Sequence, residues 1–240
     1  MIIIKIGGNM VNQLSEPFYQ QLKSLQNNGE QILIVHGGGN LISTCDQFIG
    51  QITHKINGIR ITNKSTIKIS ELVLNQIVQP HLNELLSQHD IQSVMLNQNG
   101  QSFLHGDYLN QSIYGEVGQV THVENSIKQA IDHKVGILSP LAMGNHHQML
   151  NVNADTAASD LAALLHADQL VLLTDVCGVK VHQQMINHLN YKYTKQLIQK
   201  QEIKNGMVPK VKAAFYALQH GVHNVFITNS LKNIGTKVTL

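Results

Sequence analysis

Short apolar runs closed by glycines alternate along this chain with longer stretches whose apolar residues return every three or four positions. Residues 2–6 read IIIKI and are closed by Gly7-Gly8; so short and β-branched a run predicts a strand. Ser15-Glu16-Pro17 then reads as a helix start, with Ser15 as cap and Pro17 in the first turn. Phe18, Leu22 and Leu25 share one face until Asn28-Gly29 stops the pattern. Residues 32–35 form a second apolar run that ends in His36-Gly37-Gly38-Gly39. Strand, helix and strand in that order predict a βαβ unit with parallel strands and a right-handed crossover.

Between residues 65 and 88, Ile69, Leu72, Val73, Ile77, Val78, Leu82, Leu85 and Leu86 recur at helical spacing with Pro80 inside the pattern, which predicts a long helix kinked or broken near that proline. Residues 91–123 change to short segments broken by Gly100, Gly106, Gly115 and Gly118, the pattern of hairpins suited to a lid or wall. A βα rhythm returns with strands at 137–140, 170–174 and 225–228 and helices at 155–165 and 210–220. The expected fold class is therefore α/β, one domain over residues 1–240, with an N-terminal lobe of about 1–145 and a C-terminal lobe of about 146–240.

Composition narrows the function classes. The formal net charge is +2 and the basic residues are scattered, so no stripe tracks a nucleic-acid backbone. No apolar run approaches membrane-spanning length, and the start MIIIKIGG has no basic leader or cleavage signal, so a cytoplasmic protein with no membrane partner is expected. Cys45 and Cys177 lie beside apolar runs outside any ligand spacing and read as two buried free thiols of a reducing compartment. Fourteen histidines fall into no metal-ligand pattern.

The chemistry concentrates at strand ends. Two glycine clusters follow adjacent strands, and glycine lets backbone N–H groups approach an anion, which suggests a phosphate cradle; a pair of tight turns is the alternative. Neither the P-loop pattern nor the protein-kinase motifs occur. Lys5 inside an isoleucine run either meets an anion or snorkels from an edge strand. Lys210 is placed at the opening of a helix, where a cation is unfavourable unless negative charge rests there; a solvated surface lysine like Lys212 is the alternative. In Asn151-Val152-Asn153-Ala154-Asp155, either Asn153 or Asp155 caps the next helix, or Asp155 orients the two lysines while Asn151 binds substrate. Leu172 to Val179 ends a strand in a polar turn, either a nucleotide contact or an ordinary turn.

Taken in order, KIGG near residue 5, IVHGGG at 34–39, NGIR at 57–60, NVNAD at 151–155, LLTDVCGV at 172–179 and GMVPK at 206–210 resemble the amino acid kinase family over essentially the whole chain. KIGG, the TDVxGV turn and GMxPK mark the family, whereas NGIR with NVNAD points to members that act on an acylated glutamate.

The resemblance implies a three-layer α-β-α open, mainly parallel sheet and transfer of phosphate from ATP to the side-chain carboxylate of N-acetyl-L-glutamate, a step of arginine biosynthesis. By it, Lys5 and Lys210 flank the migrating phosphoryl group and Asp155 holds both. Gly7, Gly8 and Gly38 serve the phosphate, Gly38 and Gly39 touch the acceptor, and Arg60 with Asn151 takes its α-carboxylate. ATP lies against Asp175, Val176, Gly178, Val179, Lys180, Glu202, Ile203, Lys204, Gly206 and Met207, with Mg2+ arriving as MgATP and no metal bound by the protein alone. The N-terminal lobe takes the acceptor and the C-terminal lobe the nucleotide. A homodimer through the helix around residues 65–88, insensitive to arginine, is expected. A kinase of acetylaminoadipate, one methylene longer, and a non-catalytic sensor of the same fold are the rival expectations. Asn9-Met10 depart from the small or aliphatic residues more usual after KIGG, a change at the floor of the phosphate site.

Overall fold

The computed structural model describes residues 1–240 except Asn57, Asn99 and Ile234. Its strands are β1 (Ile2–Ile6), β2 (Ile32–His36), β3 (Lys55–Ile56), β4 (Ile59–Arg60), β5 (Ser93–Met95), β6 (Leu104–Tyr108), β7 (Gly118–Val123), β8 (Val135–Leu138), β9 (Leu141–Met143), β10 (Met149–Asn151), β11 (Gln169–Leu173), β12 (Lys180–Val181), β13 (Gln184–Met185), β14 (His188–Asn190), β15 (Asn224–Thr228) and β16 (Thr236–Thr239). The α-helices are α1 (Glu16–Asn27), α2 (Leu41–Phe48), α3 (Lys64–Leu72), α4 (Gln79–Gln88), α5 (Gln111–Tyr114), α6 (Ile127–Ala130), α7 (Ala154–Leu164), α8 (Tyr191–Gln199) and α9 (Met207–Gln219).

The main sheet has eight strands in the order β14-β16-β15-β11-β1-β2-β8-β5, parallel from β15 to β5, with β16 running antiparallel to β15. Two apolar clusters cover its faces. Ile2, Ile4 and Ile6 pack with Phe18 and Leu22 of α1 and Leu82 and Leu86 of α4, while Ile3 packs with Leu161 of α7 and Val211 and Phe215 of α9. This is the expected three-layer α/β arrangement. Because side chains alternate across a strand, Lys5 shares the face of Ile3 and must point toward α7 and α9. β1 pairs with β2 on one side and β11 on the other, so Lys5 is in mid-sheet, which removes the snorkelling edge-lysine reading.

Four other expectations change. The helix around Pro80 does not break. Residues Val73–Val78 widen into a π-helical turn in which the Gln79 N–H donates to the carbonyl of Leu74, and the helix resumes with Pro80 in its first turn, where a missing N–H costs little. Residues 91–123 are not all hairpin. β5 joins the main sheet parallel to β8, and only β6 with β7 forms an antiparallel pair, which belongs to a second sheet ordered β10-β9-β6-β7. The thiols are free but not both buried: Cys45 is half-buried and Cys177 exposed, because the turn after β11 carries the latter outward. Helix α9 starts at Met207, so Lys210 completes its first turn rather than opening it.

Two buried groups carry opposite pH dependences. His36, on the α1 and α4 side of β2, has no partner for either ring nitrogen among the described residues, and burial lowers its pKa from 6.5 to about 4. Asp160 of α7 accepts from the Val120 N–H at 3.2 Å through Oδ2, leaves Oδ1 without a partner among the described residues, and is pushed up by burial from 3.8 to about 7. Native His36 resists a proton that the unfolded chain accepts, so its stability is present above pH 6.5 and lost as pH falls toward 4. Native Asp160 binds its proton earlier than the unfolded chain, so it gains stability as pH falls from 7 toward 3.8. Each effect is roughly 3–4 kcal/mol at full extent, and the two oppose each other. Asp160→Asn should therefore steepen the fall of Tm between pH 6.5 and 4; equal slopes in both proteins would refute the pairing.

Candidate active site

The carboxyl ends of β1, β2 and β11 and the N-termini of α7 and α9 meet around one open cavity of about 1180 Å³, walled by Lys5, Gly7, Gly8, Asn9, Gly39, Asp155, Asp175, Val176, Gly206, Met207 and Lys210, among others. A smaller compartment of about 140 Å³ adjoins it, walled by Gly38, Arg60, Leu74, Val117, Asn151 and Val152. Gly37, Gly39, Lys55, Gly58 and Asn153 line both, so the two share a common wall.

At the base of the larger cavity one carboxylate holds two ammonium groups. Asp155 Oδ1 lies 3.0 Å from Lys5 Nζ and 2.9 Å from Lys210 Nζ, and Oδ2 lies 3.2 Å from Lys210 Nζ. The three side chains are 7, 8 and 13% exposed for Lys5, Asp155 and Lys210. Asn153, not Asp155, caps α7: its Oδ1 accepts from the N–H groups of Asp155 and Thr156. That frees the Asp155 carboxylate for the lysines, at a helix end whose dipole favours negative charge. Burial is the largest influence on Lys5 and lowers its pKa from 10.5 to about 8, with Asp155 pulling it back up and Lys210 pushing it further down. Burial also disfavours the Asp155 carboxylate, but the two ammonium groups outweigh it and hold the pKa below its usual value. Two cations on one anion leave a net positive charge facing the cavity.

The glycine loops are forced into glycine by packing as well as by any ligand. A Cβ on Gly8 would stand 2.5 Å from the Gly37 carbonyl oxygen, and Gly39 has φ +57°. The N–H groups of Gly38 and Gly39 meet no acceptor among the described residues, and that of Gly8 opens a 3-10 turn, where the first N–H groups have no partner within the turn. Unpartnered N–H groups lining a cavity are donors that an anion could use.

In the smaller compartment Arg60 is fixed rather than free. Its Nη1 donates to Thr53 Oγ1 at 2.9 Å and to Asp46 Oδ2 at 3.3 Å, and Nη2 donates to Ser43 Oγ at 2.8 Å. A guanidinium has five N–H donors, so these bonds leave two for a ligand. Asn151 Nδ2 donates to Thr62 Oγ1 at 3.0 Å, and that hydroxyl donates to the Arg60 carbonyl at 3.1 Å, which ties the two candidates into one wall. Asn57 of the NGIR motif lies outside the described residues.

The nucleotide candidates divide. Asp175, Val176, Gly206 and Met207 line the larger cavity, whereas Gly178, Val179, Lys180, Glu202, Ile203 and Lys204 are outside its lining. Val179 and Ile203 have core side chains, and Glu202 lies 3.2 Å from His182. Sequence reasoning missed Lys55 of the β3–β4 hairpin, Lys212 of α9, and the Asp46, Ser43 and Thr53 that hold Arg60. Lys55 carried a signal, a lysine three residues before the turn glycine Gly58; the Arg60 partners come from a segment with no motif.

Comparison with known proteins identifies the chain's relatives. The model of the amino acid kinase family matches residues 1–229. A Lactiplantibacillus plantarum protein named acetylglutamate kinase is 41% identical over 99% of this chain and 96% of its own length. An acetylglutamate kinase of Leuconostoc citreum is 42% identical over 100% of this chain and 98% of its own. A solved Streptococcus mutans structure superposes with a TM-score of 0.93 at 34% identity, covering 99% of this chain and 98% of that one. Giardia lamblia carbamate kinase bound to AMP-PNP, at 16% identity and a TM-score of 0.64 over 99% of this chain and 97% of its own, shares the fold.

Proposed function

The chain belongs to the amino acid kinase family, and from that premise we propose that it transfers the γ-phosphoryl group of ATP to the side-chain carboxylate of N-acetyl-L-glutamate, a reaction of arginine biosynthesis. Full-length likeness to acetylglutamate kinases supports the acceptor. The observation that carries the mechanism is the buried Lys5–Asp155–Lys210 cluster facing a cavity that opens beside Arg60 and Asn151.

The chemistry asks for positioning and charge neutralisation. A carboxylate oxygen of the acceptor attacks the γ-phosphorus, the bond to the ADP oxygen breaks, and no proton moves, because a glutamate side chain with a pKa of about 4.3 is ionised at neutral pH. Lys5 and Lys210 neutralise the equatorial oxygens, and Gly7, Gly8 and Gly38 belong to the backbone cradle. Arg60 and Asn151 bind the acceptor α-carboxylate, beside Gly38 and Gly39. The nucleotide rests against Asp175, Val176, Gly206 and Met207, with residues 178–180 and 202–204 framing that wall. Both Asp155 oxygens are engaged by ammonium groups, so an Mg2+ would be brought by ATP rather than held by this carboxylate, and would add charge neutralisation there. In this reading residues 1–145 form the acceptor lobe and 146–240 the nucleotide lobe.

Release of ADP measured with N-acetyl-L-glutamate, acetylaminoadipate, glutamate, aspartate, carbamate and uridylate as rival acceptors tests the reading. N-acetyl-L-glutamate should give the highest kcat/KM, and equal or better turnover of another acceptor would overturn it. A non-catalytic sensor would release ADP with none of them. In the same assay Arg60→Ala should chiefly raise the acceptor KM, by roughly tenfold or more, since a carboxylate anchor acts in ground and transition states alike. An unchanged KM would point to a different anchor.

Among the described residues no helix is long and apolar enough to cross a membrane, and cytoplasmic residence suits the proposed reaction. Leu72 and Ile77 are 54% and 41% exposed along the α3–α4 helix, and these two exposed apolar side chains support a homodimer formed through it. Light scattering at the mass of two chains would bear this out; the mass of one would count against it.

A further inference from the structure

Asn9 follows the first glycine pair, and its place in the structure gives it work that the glycines cannot do. Its Oδ1 accepts the backbone N–H of Asn40 at 2.9 Å. That N–H belongs to the cap residue of α2, immediately after the glycine cluster of the second loop. The contact therefore ties the loop after β1 to the loop after β2, across the place where their backbones are closest.

The bond also fixes which way the amide faces. A backbone N–H can only be met by the side-chain oxygen, so the NH2 group of Asn9 takes the opposite position without ambiguity. That NH2 makes no hydrogen bond to the described residues and is open to solvent. Asn9 is exposed and lines the larger cavity together with Lys5, Gly7, Gly8 and Gly39. The unpartnered N–H groups of Gly38 and Gly39 lead directly to Asn40, whose own N–H is already taken by Asn9. Asn9 thus withdraws one backbone donor from the cradle and presents a side-chain donor beside it.

We propose that Asn9 is a phosphate-binding side chain of this chain's nucleotide site, its carbonyl oxygen locking the two glycine loops together and its amide NH2 donating to a phosphate oxygen of the nucleotide. The inference rests on the kinase reading for the identity of the ligand, but its geometry requires only an anion between the loops.

The two halves of the amide separate by substitution. Asn9→Asp keeps an oxygen that accepts from Asn40 and turns the donor into a negative charge. Asn9→Ala removes both. Affinity for MgADP, measured by titration calorimetry, and kcat and KM for ATP are the readouts, with Tm as the check on folding. Asn9→Asp should keep a Tm close to that of the unaltered protein yet bind MgADP at least a hundredfold more weakly, and Asn9→Ala should lose roughly tenfold to a hundredfold. MgADP affinity of Asn9→Asp within twofold of the unaltered protein would overturn the proposal and leave Asn9 only as a clamp between loops. Should Asn9→Asp fail to fold, Asn9→Ala, which carries no donor, takes its place, and MgADP affinity within twofold of the unaltered protein would again overturn the proposal. Failure of the function reading would show separately, as an unaltered protein that binds MgADP but phosphorylates none of the acceptors.

Discussion

Asp155→Asn is expected to lower kcat by two orders of magnitude or more and to destabilise the protein by on the order of 3 kcal/mol. The carboxylate is the sole anion among the described residues within ion-pair distance of both Lys5 and Lys210, and all three side chains are at most 13% exposed. Removing one member of a buried ionic cluster leaves uncompensated charge at a cost of about 3–5 kcal/mol. Lys5 limits that loss by shedding its proton, because its pKa already lies far below the ordinary lysine value. Shedding the proton is also what harms the reaction, since a neutral amine no longer offsets charge on a migrating phosphate. Loss of a preorganised transition-state donor typically costs a hundredfold to a thousandfold in kcat. Thermal unfolding and steady-state kinetics on one preparation check both halves, and an Asp155→Asn enzyme with unchanged Tm and kcat within threefold would show that the lysines do not depend on it.

Lys5→Ala and Lys210→Ala should each lower kcat by roughly ten to a thousandfold, with smaller effects on KM for the acceptor. The pH dependence singles out Lys5. In the substrate-free protein its ammonium, depressed mainly by burial, loses its proton as pH rises through about 8. The protonated form is the one that neutralises phosphate, so kcat/KM should fall on the alkaline side with a midpoint near 8. A bound phosphate favours the charged form, so the corresponding limb of kcat should lie at higher pH. In Lys5→Ala the alkaline limb near 8 should vanish. Its persistence there would assign it to another group.

The sequence reading reached Lys5 for a physical reason: an ammonium among four isoleucines is costly without an anion, and strand parity then dictates the face on which the anion must lie. Lys210 was singled out because a cation near a helix start is resisted by the dipole, and Asp155 because a polar loop delivers it to the start of a helix, where it was read either as a cap or as the group that orients the lysines. What could not be read was whatever depends on distant pairing. Arg60 is braced by Ser43, Asp46 and Thr53, none of which stands in a recognisable pattern. Pro80 looked like a kink or a break because local sequence cannot announce a π-turn, which accommodates the missing N–H by widening the helix just before it. β5 was read as hairpin because three residues carry too little periodicity to distinguish a parallel edge strand from one arm of an antiparallel pair. The glycine clusters were read as a phosphate cradle, and the structure adds a second cause for them, the close approach of two backbones that no Cβ would permit.

The central claim is that Lys5 and Lys210 address one phosphoryl group in flight between ATP and the acceptor. A crystal structure with MgADP, aluminium fluoride and N-acetyl-L-glutamate measures this most directly, because the planar fluoride stands in for the transferring group. The account predicts both Nζ atoms within about 2.7–3.2 Å of fluorides on that one group, with the acceptor carboxylate in line. A complex in which the fluoride lies beyond reach of either ammonium, or in which the two lysines contact different ligands, would contradict it.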